Sequence, residues 1–217
     1  MDDKKIHLNE NLNDDQFFNI LNELNSSWNG HKDFSQWIVK KLLPEVTVDL
    51  GVDYGYSSLC FSFPNIGKVY GIDLFEVNEE ELKMLFHDLN HEKSIKYKQT
   101  LNLNNLMFIK SDFNKIVQSW SSPIDILHID GWHQYETVKN DFEKWNKFVK
   151  HDGVILLHDT CIFDRNFGVH KFFEEIDLPK INFTNSCGLG VVSKNKDLLH
   201  EIFEVFHPLM DKKYLLI

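Results

Sequence analysis

Residues 46–57 read VTVDLGVDYGYS, and this stretch decides the fold. A short β-branched run ends at an acid and a glycine, as a buried strand does where it enters a turn. Gly51 and Gly55 allow a tight turn and a close approach of the backbone to a ligand before a helix over residues 57–63. The pattern predicts a strand–turn–helix unit that holds a ligand at the turn.

Strand-like and helix-like segments alternate beyond this unit. Strands are predicted over residues 46–50, 68–72, 106–110, 124–129, 153–158, 181–183 and 188–193. Helices are predicted over residues 78–89, which start with an Asn cap and three acids, and around residues 169–176 and 198–206. Another helical face consists of Tyr135, Val138, Phe142, Trp145 and Val149. The alternation predicts an α/β fold in which helices cover both faces of a mostly parallel sheet.

The first 45 residues have a different character, because they are helical without intervening strands. Apolar faces over residues 17–28 and 34–42 precede Pro44, where the second face stops. We therefore expect one domain overall. It would combine a helical segment, residues 1–45, that packs on or lids the core, with a cofactor-binding core, residues 46–217.

Composition limits the partners of the chain. Of its 217 residues 42% are hydrophobic, and 33 acidic against 23 basic residues give a formal net charge of −10. This balance argues against nucleic-acid and membrane partners, which need a clustered basic field. The N-terminus has no apolar signal core and the three cysteines form no close pair, so we expect a cytoplasmic protein.

Acidic residues follow the predicted strands, at the edge where α/β folds bind ligands. Asp53 lies inside the glycine turn and would repel a pyrophosphate, which disfavours an NAD-dependent oxidoreductase. Asp73 follows Gly55 by 18 residues, a spacing at which an acid binds ribose hydroxyls. Asp112 and Phe113 suit an adenine amino group and ring face. Each acid alone could equally be a turn residue or a helix cap.

The fourth and fifth predicted strands end in the densest polar sequence. Residues 124–133 read IDILHIDGWH, and residues 153–160 read GVILLHDT. If these strands are neighbours, Asp130 and Asp159 lie side by side, and two adjacent carboxylates repel unless they share a proton or bind a cation. Oxygen ligands favour magnesium or a similar divalent ion. The alternative is that one acid caps a helix and that His128 or His158 is a core histidine.

Together and in order, these motifs resemble those of class I S-adenosylmethionine-dependent methyltransferases, most closely the macrocin-type and rhamnosyl O-methyltransferases that act on sugar hydroxyls. The resemblance spans residues 28–193 and is firmest over residues 48–57 and 128–135. It implies a Rossmann-like methyltransferase fold with seven strands, the last antiparallel. It also implies S-adenosylmethionine as cofactor, bound by Asp49, Gly51, Asp53, Gly55, Tyr56, Ser57, Asp73, Leu74, Asp112 and Phe113.

The same resemblance implies the catalytic residues. In metal-using members, Asp130 and Asp159 would be ligands of Mg²⁺ or another divalent cation, and His133 would be the general base. The predicted catalytic residues are therefore His133 and Asp130. This chain has Gly131 where some metal-dependent relatives have a second acid.

The predicted reaction is methyl transfer to a hydroxyl of a sugar, glycan or glycosylated small molecule. Three other interpretations stay open. A metal-dependent hydrolase could use Asp130, His133 and Asp159, although the glycine turn and Asp73 would then have no role. A non-catalytic protein could use the cofactor residues for binding alone. The NAD-dependent oxidoreductase is the third. A homo-oligomer is compatible with each of them.

Overall fold

The computed structural model of the chain describes residues 14–24, 26–75, 87–211 and 213. Its strands are β1 (Val46–Leu50), β2 (Lys68–Asp73), β3 (Leu106–Lys110), β4 (Ile124–Ile129), β5 (Val149–His158), β6 (Lys180–Phe183) and β7 (Leu189–Val192). They form one sheet in the order β3-β2-β1-β4-β5-β7-β6. The first five strands pair in parallel, and β7 is antiparallel to β5 and to β6. The predicted seven-stranded, mostly parallel sheet with an antiparallel last strand is confirmed.

Helices lie on both faces of this sheet. Within the described residues they are α1 (Asp14–Leu21), α2 (Lys32–Leu42), α3 (Tyr56–Ser62), α4 (His87–Thr100), α5 (Phe113–Ser119), α6 (Tyr135–Trp145), α7 (Val169–Glu175) and α8 (Lys196–Phe206). Along β5, Val154 and Leu156 pack in a cluster with α1, α2, α3 and α8. The alternate residues Ile155 and Leu157 pack in a second cluster with α5, α6 and α7. None of the described helices combines the length and apolar character that a membrane crossing needs.

The N-terminal helices share their core with the sheet. Phe17 of α1, Phe34 of α2 and Trp28 between these helices are buried in the same cluster as Ile126 of β4. Trp28 immediately precedes a short 3-10 turn, Asn29–His31, that leads into α2. A lid role for residues 1–45 and a division of the chain at residue 45 stay predictions.

The structure corrects several element boundaries and leaves one predicted helix partly undescribed. α1 ends at Leu21, so the apolar face predicted over residues 17–28 does not continue as one helix, and β5 begins at Val149 rather than at residue 153. Val149 does not extend the apolar face of α6, because that helix ends at Trp145 and Val149 begins β5. Val149 also fits the helical period of α6, but it pairs with Ile124 of β4 and is therefore part of the sheet. The helix predicted over residues 78–89 lies largely outside the described residues, and α4 is described from His87.

Candidate active site

The turn between β1 and α3 is clamped between the neighbouring strands. Gly51 has a φ of +94°, and a Cβ placed on it would lie 2.0 Å from the backbone oxygen of Asp130. The Gly51 N–H donates to the Ile72 carbonyl at the end of β2, and the Asp130 N–H donates to the Leu50 carbonyl at the end of β1. Gly55 also has a positive φ, +87°. Glycine at 51 therefore lets the ends of β1 and β4 come into contact.

Asp49 lies beneath this turn. Its side chain has no exposed surface, and Tyr56 and Ser57 are likewise buried. One carboxylate oxygen, Oδ2, accepts hydrogen bonds from the hydroxyls of Ser57 and Ser58, and the other, Oδ1, lies 2.6 Å from His128 Nδ1. Asp49 thus holds the start of α3 from below, and its direct contact with a cofactor, like that of Tyr56 and Ser57, stays a prediction.

Asp73 connects the end of β2 to the turn. Its Oδ2 accepts the backbone N–H groups of Val52 and Asp53 at 2.7 and 3.2 Å, and its Oδ1 accepts that of Phe75 at 2.9 Å. A carboxylate has about four acceptor sites, two on each oxygen, so Oδ2 is filled by the turn and one site on Oδ1 remains for a ribose hydroxyl. Leu74 beside it is 40% exposed and Asp53 is exposed, which places the predicted cofactor residues of this region on an open rim.

Asp112 and Phe113 begin α5 beside the loop that follows β4. Asp112 caps the helix, because its Oδ1 accepts the Asn114 N–H at 2.7 Å, and the residue is only partly buried. A Cβ on Gly131 would lie 2.6 Å from Phe113 Cε2. Glycine at position 131 therefore leaves room for the Phe113 ring.

The predicted catalytic and metal residues converge at the ends of β4 and β5. Asp130, His133 and Asp159 each offer one ligand atom within 4.8 Å of the others. His133 Nε2 lies 2.9 Å from Asp159 Oδ2 and 3.7 Å from Asp130 Oδ1. At these spacings Asp130 and Asp159 could hold a divalent cation, with His133 Nε2 either as a third ligand or beside the cation as a base.

A buried histidine already gives these carboxylates a positive partner. His158 Nδ1 lies 3.2 Å from Asp130 Oδ1 and 3.4 Å from Asp159 Oδ1, and its Nε2 lies 3.0 Å from the Ser186 carbonyl oxygen. Every one of these partners is an acceptor, so both ring nitrogens carry protons and His158 is an imidazolium. Burial alone would lower the pKa of His158, but the two carboxylates raise it well above its usual value. The repulsion between Asp130 and Asp159 is relieved without a metal.

His133 is also protonated in this arrangement. Burial alone would lower the pKa of His133, but the neighbouring carboxylates of Asp130 and Asp159 raise it to about 9. Its ring stacks on Phe167 with a centroid distance of 4.2 Å, and its side chain is 34% exposed. His133 can therefore face an acceptor but holds its own proton at neutral pH.

The sequence does not predict some of the polar residues of the site. The sequence leaves open whether His128 and His158 belong to the site or to the core, and it gives no signal for Ser58 and Ser186. Trp28 and His31 lie in the core rather than at the rim, whereas Trp132, which follows β4, is 55% exposed. Burial, with the charge of His158, lowers the pKa of His31 to about 3 and keeps it neutral.

A doubly covered, mostly parallel sheet defines a Rossmann-like class of folds, which bind ligands at the carboxyl ends of the strands. The chain belongs to one family of that class: a family model described as "Methyltransferase domain" matches residues 48–160. It is also 28% identical over 215 residues to the uncharacterized protein y4gI of Sinorhizobium fredii, covering 96% of this chain and 23% of that protein. An uncharacterized protein of Acanthamoeba polyphaga mimivirus is 32% identical over 116 residues, 52% of this chain and 50% of its own length. The chain thus spans about a quarter of the length of the S. fredii relative and half that of the mimivirus relative.

Solved methyltransferases share the fold. One is an O-methyltransferase of Bacillus cereus in complex with S-adenosylhomocysteine, with 17% identity, coverage of 82% of this chain and 90% of that one, and a TM-score of 0.59. Another is TomG of Streptomyces achromogenes, an O-methyltransferase involved in tomaymycin synthesis that was solved with S-adenosylmethionine. It has 14% identity, covers 76% of this chain and 80% of its own, and has a TM-score of 0.56.

Proposed function

We propose that this chain is an S-adenosylmethionine-dependent O-methyltransferase whose acceptor is a hydroxyl of a sugar, glycan or glycosylated small molecule. One observation carries the proposal: the cofactor rim, Asp53, Asp73 and Asp112, lies on the same sheet edge as the cluster of Asp130, His133 and Asp159. Donor and acceptor can then meet above the ends of β1 and β4. The B. cereus and S. achromogenes relatives of the same fold support the cofactor.

The rim is chemically matched to the donor. S-adenosylmethionine, when bound, supplies a methyl group on a positively charged sulfur. Asp73 would accept a hydrogen bond from a ribose hydroxyl through Oδ1, Asp112 one from the adenine amino group, and Phe113 would cover the ring face. Asp53, which is exposed beside them, would face the cationic methionine end. Alignment of the donor methyl with the acceptor oxygen then supplies much of the rate.

His133 is the proposed general base, and the state of its ring connects this role to a metal. A base must give up its own proton first, which His133 does only as pH approaches about 9 in the present arrangement. A divalent cation held by Asp130 and Asp159 would neutralise their negative charge and so lower the pKa of His133, which favours the neutral ring. The cation would also lower the pKa of a hydroxyl bound to it. We therefore propose metal assistance as the means by which the reaction proceeds at neutral pH.

Methyl transfer to a panel of sugar nucleotides and glycans, measured between about pH 6 and about pH 10 with Mg²⁺ or with EDTA, tests this function. With EDTA, the rate should rise toward the His133 pKa of about 9, and Mg²⁺ should move the rise to lower pH. His133→Ala should lower the rate about 10²- to 10⁴-fold with little change in cofactor affinity. The control is His151→Ala, a change to a histidine whose side chain is 74% exposed.

The outcomes separate the open interpretations. Hydrolysis by the metal-loaded protein without any use of S-adenosylmethionine would favour the hydrolase. Cofactor binding without transfer to any hydroxyl would favour the non-catalytic protein. Equal loss of binding and turnover in His133→Ala would mean that His133 is structural.

A further inference from the structure

A buried chain of hydrogen bonds leads from the N-terminal segment to the glycine turn. The Trp28 indole N–H donates to His128 Nε2 over 3.1 Å, and His128 Nδ1 lies 2.6 Å from Asp49 Oδ1. The hydroxyls of Ser57 and Ser58, at the start of α3, complete the chain on Asp49 Oδ2. Trp28 is 2% exposed, and His128 and Asp49 are fully buried. The chain is shielded from water over its whole length.

The donors and acceptors give this chain one direction. An indole N–H can only donate, so His128 Nε2 must present its lone pair to Trp28. A neutral imidazole then carries its proton on Nδ1, which donates to Asp49. In the opposite tautomer, a lone pair would face a carboxylate oxygen at 2.6 Å. Trp28 thus selects the tautomer that orients Asp49.

We propose that Trp28 and His128 are positioning residues for the cofactor turn, acting through Asp49. The inference rests on the proposed function, because the turn matters only if it holds the cofactor. Asp49 fixes Ser57 and Ser58, and with them the direction in which the chain leaves Gly55. Neither Trp28 nor His128 reaches the rim, so their effect on binding passes through the turn.

Trp28→Phe keeps the buried ring and removes the donor. S-adenosylhomocysteine affinity should fall between about twofold and about tenfold, the range expected for one uncharged hydrogen bond. The matched control is Trp145→Phe, because Trp145 is fully buried on the other face of the sheet and its Nε1 has no partner among the described residues. Both variants should lower the melting temperature, and only Trp28→Phe should weaken binding. Equal affinity in the two variants would overturn the proposal.

Two substitutions of His128 test whether the hydrogen bond that it donates to Asp49 supports cofactor binding. His128→Asn can still donate an N–H to Asp49 and should retain affinity within about threefold, whereas His128→Leu leaves Asp49 Oδ1 without its donor and should lose about tenfold or more. Equal losses in both variants would show that His128 only fills space.

Nitrogen-15 NMR of the histidine rings makes the test independent of the cofactor. The wild-type protein should show His128 with its proton on Nδ1, and Trp28→Phe should release that preference. A proton on Nε2 of His128 in the wild type would overturn the proposed hydrogen-bond connection from Trp28 to Asp49, even if cofactor binding is normal. Absence of S-adenosylhomocysteine binding by the wild type, with the Nδ1 proton present, would instead contradict the proposed function alone.

Discussion

At the residue scale, Asp141 is a carboxyl group that folding buries at a cost. It is 2% exposed on α6, its Oδ1 accepts a 3.3 Å hydrogen bond from Asn140, and its Oδ2 has no partner among the described residues. Burial, aided by the charge of Asp112, raises the pKa of Asp141 to about 6. Ionisation of this group therefore opposes folding.

Asp141→Asn should stabilise the protein above neutral pH. The native state binds the proton more tightly than the unfolded chain, so the free energy of unfolding falls as pH rises from about 4 to the native pKa of about 6. Asparagine does not ionise, so the variant avoids this decrease. At pH 8 its free energy of unfolding, measured with urea, should exceed that of the wild type by about 1–3 kcal/mol. The control is Asp152→Asn, at a side chain that is 78% exposed. An identical pH slope in wild type and Asp141→Asn would refute the assignment.

The convergence of Asp130, His133 and Asp159 could be predicted at this scale, because neighbouring parallel strands bring their carboxyl ends together. The protonation of the cluster could not. It depends on His158, whose Nε2 meets a carbonyl 28 residues further along the chain, at Ser186. Strand spacing contains no information on that loop.

At the element scale, the β1–α3 turn depends on a residue without a side chain. Gly51→Ala would combine an unfavourable φ of +94° with a Cβ 2.0 Å from the Asp130 backbone oxygen. The free energy of unfolding should fall by about 2–4 kcal/mol, and S-adenosylhomocysteine binding should be lost. Chemical unfolding and calorimetry of the variant measure both effects.

Asp53→Gly is the matched change in the same turn. Asp53 has a φ of +46°, a conformation that glycine adopts freely, so stability should stay within about 1 kcal/mol of the wild type. Binding should still weaken if, as proposed, the Asp53 carboxylate faces the ammonium group at the methionine end of the cofactor. Wild-type stability and binding in Gly51→Ala would contradict the account of this turn.

Most elements could be predicted because their apolar period matches one structure. β1, β3 and β4 have the predicted bounds, whereas Val149 fits both the helical period of α6 and the pairing of β5. The helix α5 was not predicted, since its short sequence, FNKIVQS, has no extended apolar face and its start depends on the cap at Asp112. The apolar pattern predicts the bounds of an element only where its residues fit one kind of secondary structure.

At the scale of the whole molecule, part of the net charge of −10 has a location. Five parallel strands place their carboxyl ends on one edge, and acids follow each of them. Near β4 and β5, His133 and His158 offset two of these charges, whereas at the end of β2 the Asp73 carboxylate accepts backbone N–H groups of the glycine turn. Composition alone could exclude partners but could not show this division.

Isothermal titration of the wild-type chain with S-adenosylhomocysteine, with NAD as the parallel ligand, tests the central claim most directly. Asp73→Ala, checked for a retained fold by circular dichroism, is the companion variant. We predict one site for S-adenosylhomocysteine, no heat with NAD, and affinity about tenfold or more lower in Asp73→Ala, since charge-assisted hydrogen bonds are lost. A folded wild-type chain that binds neither S-adenosylhomocysteine nor S-adenosylmethionine would contradict the account.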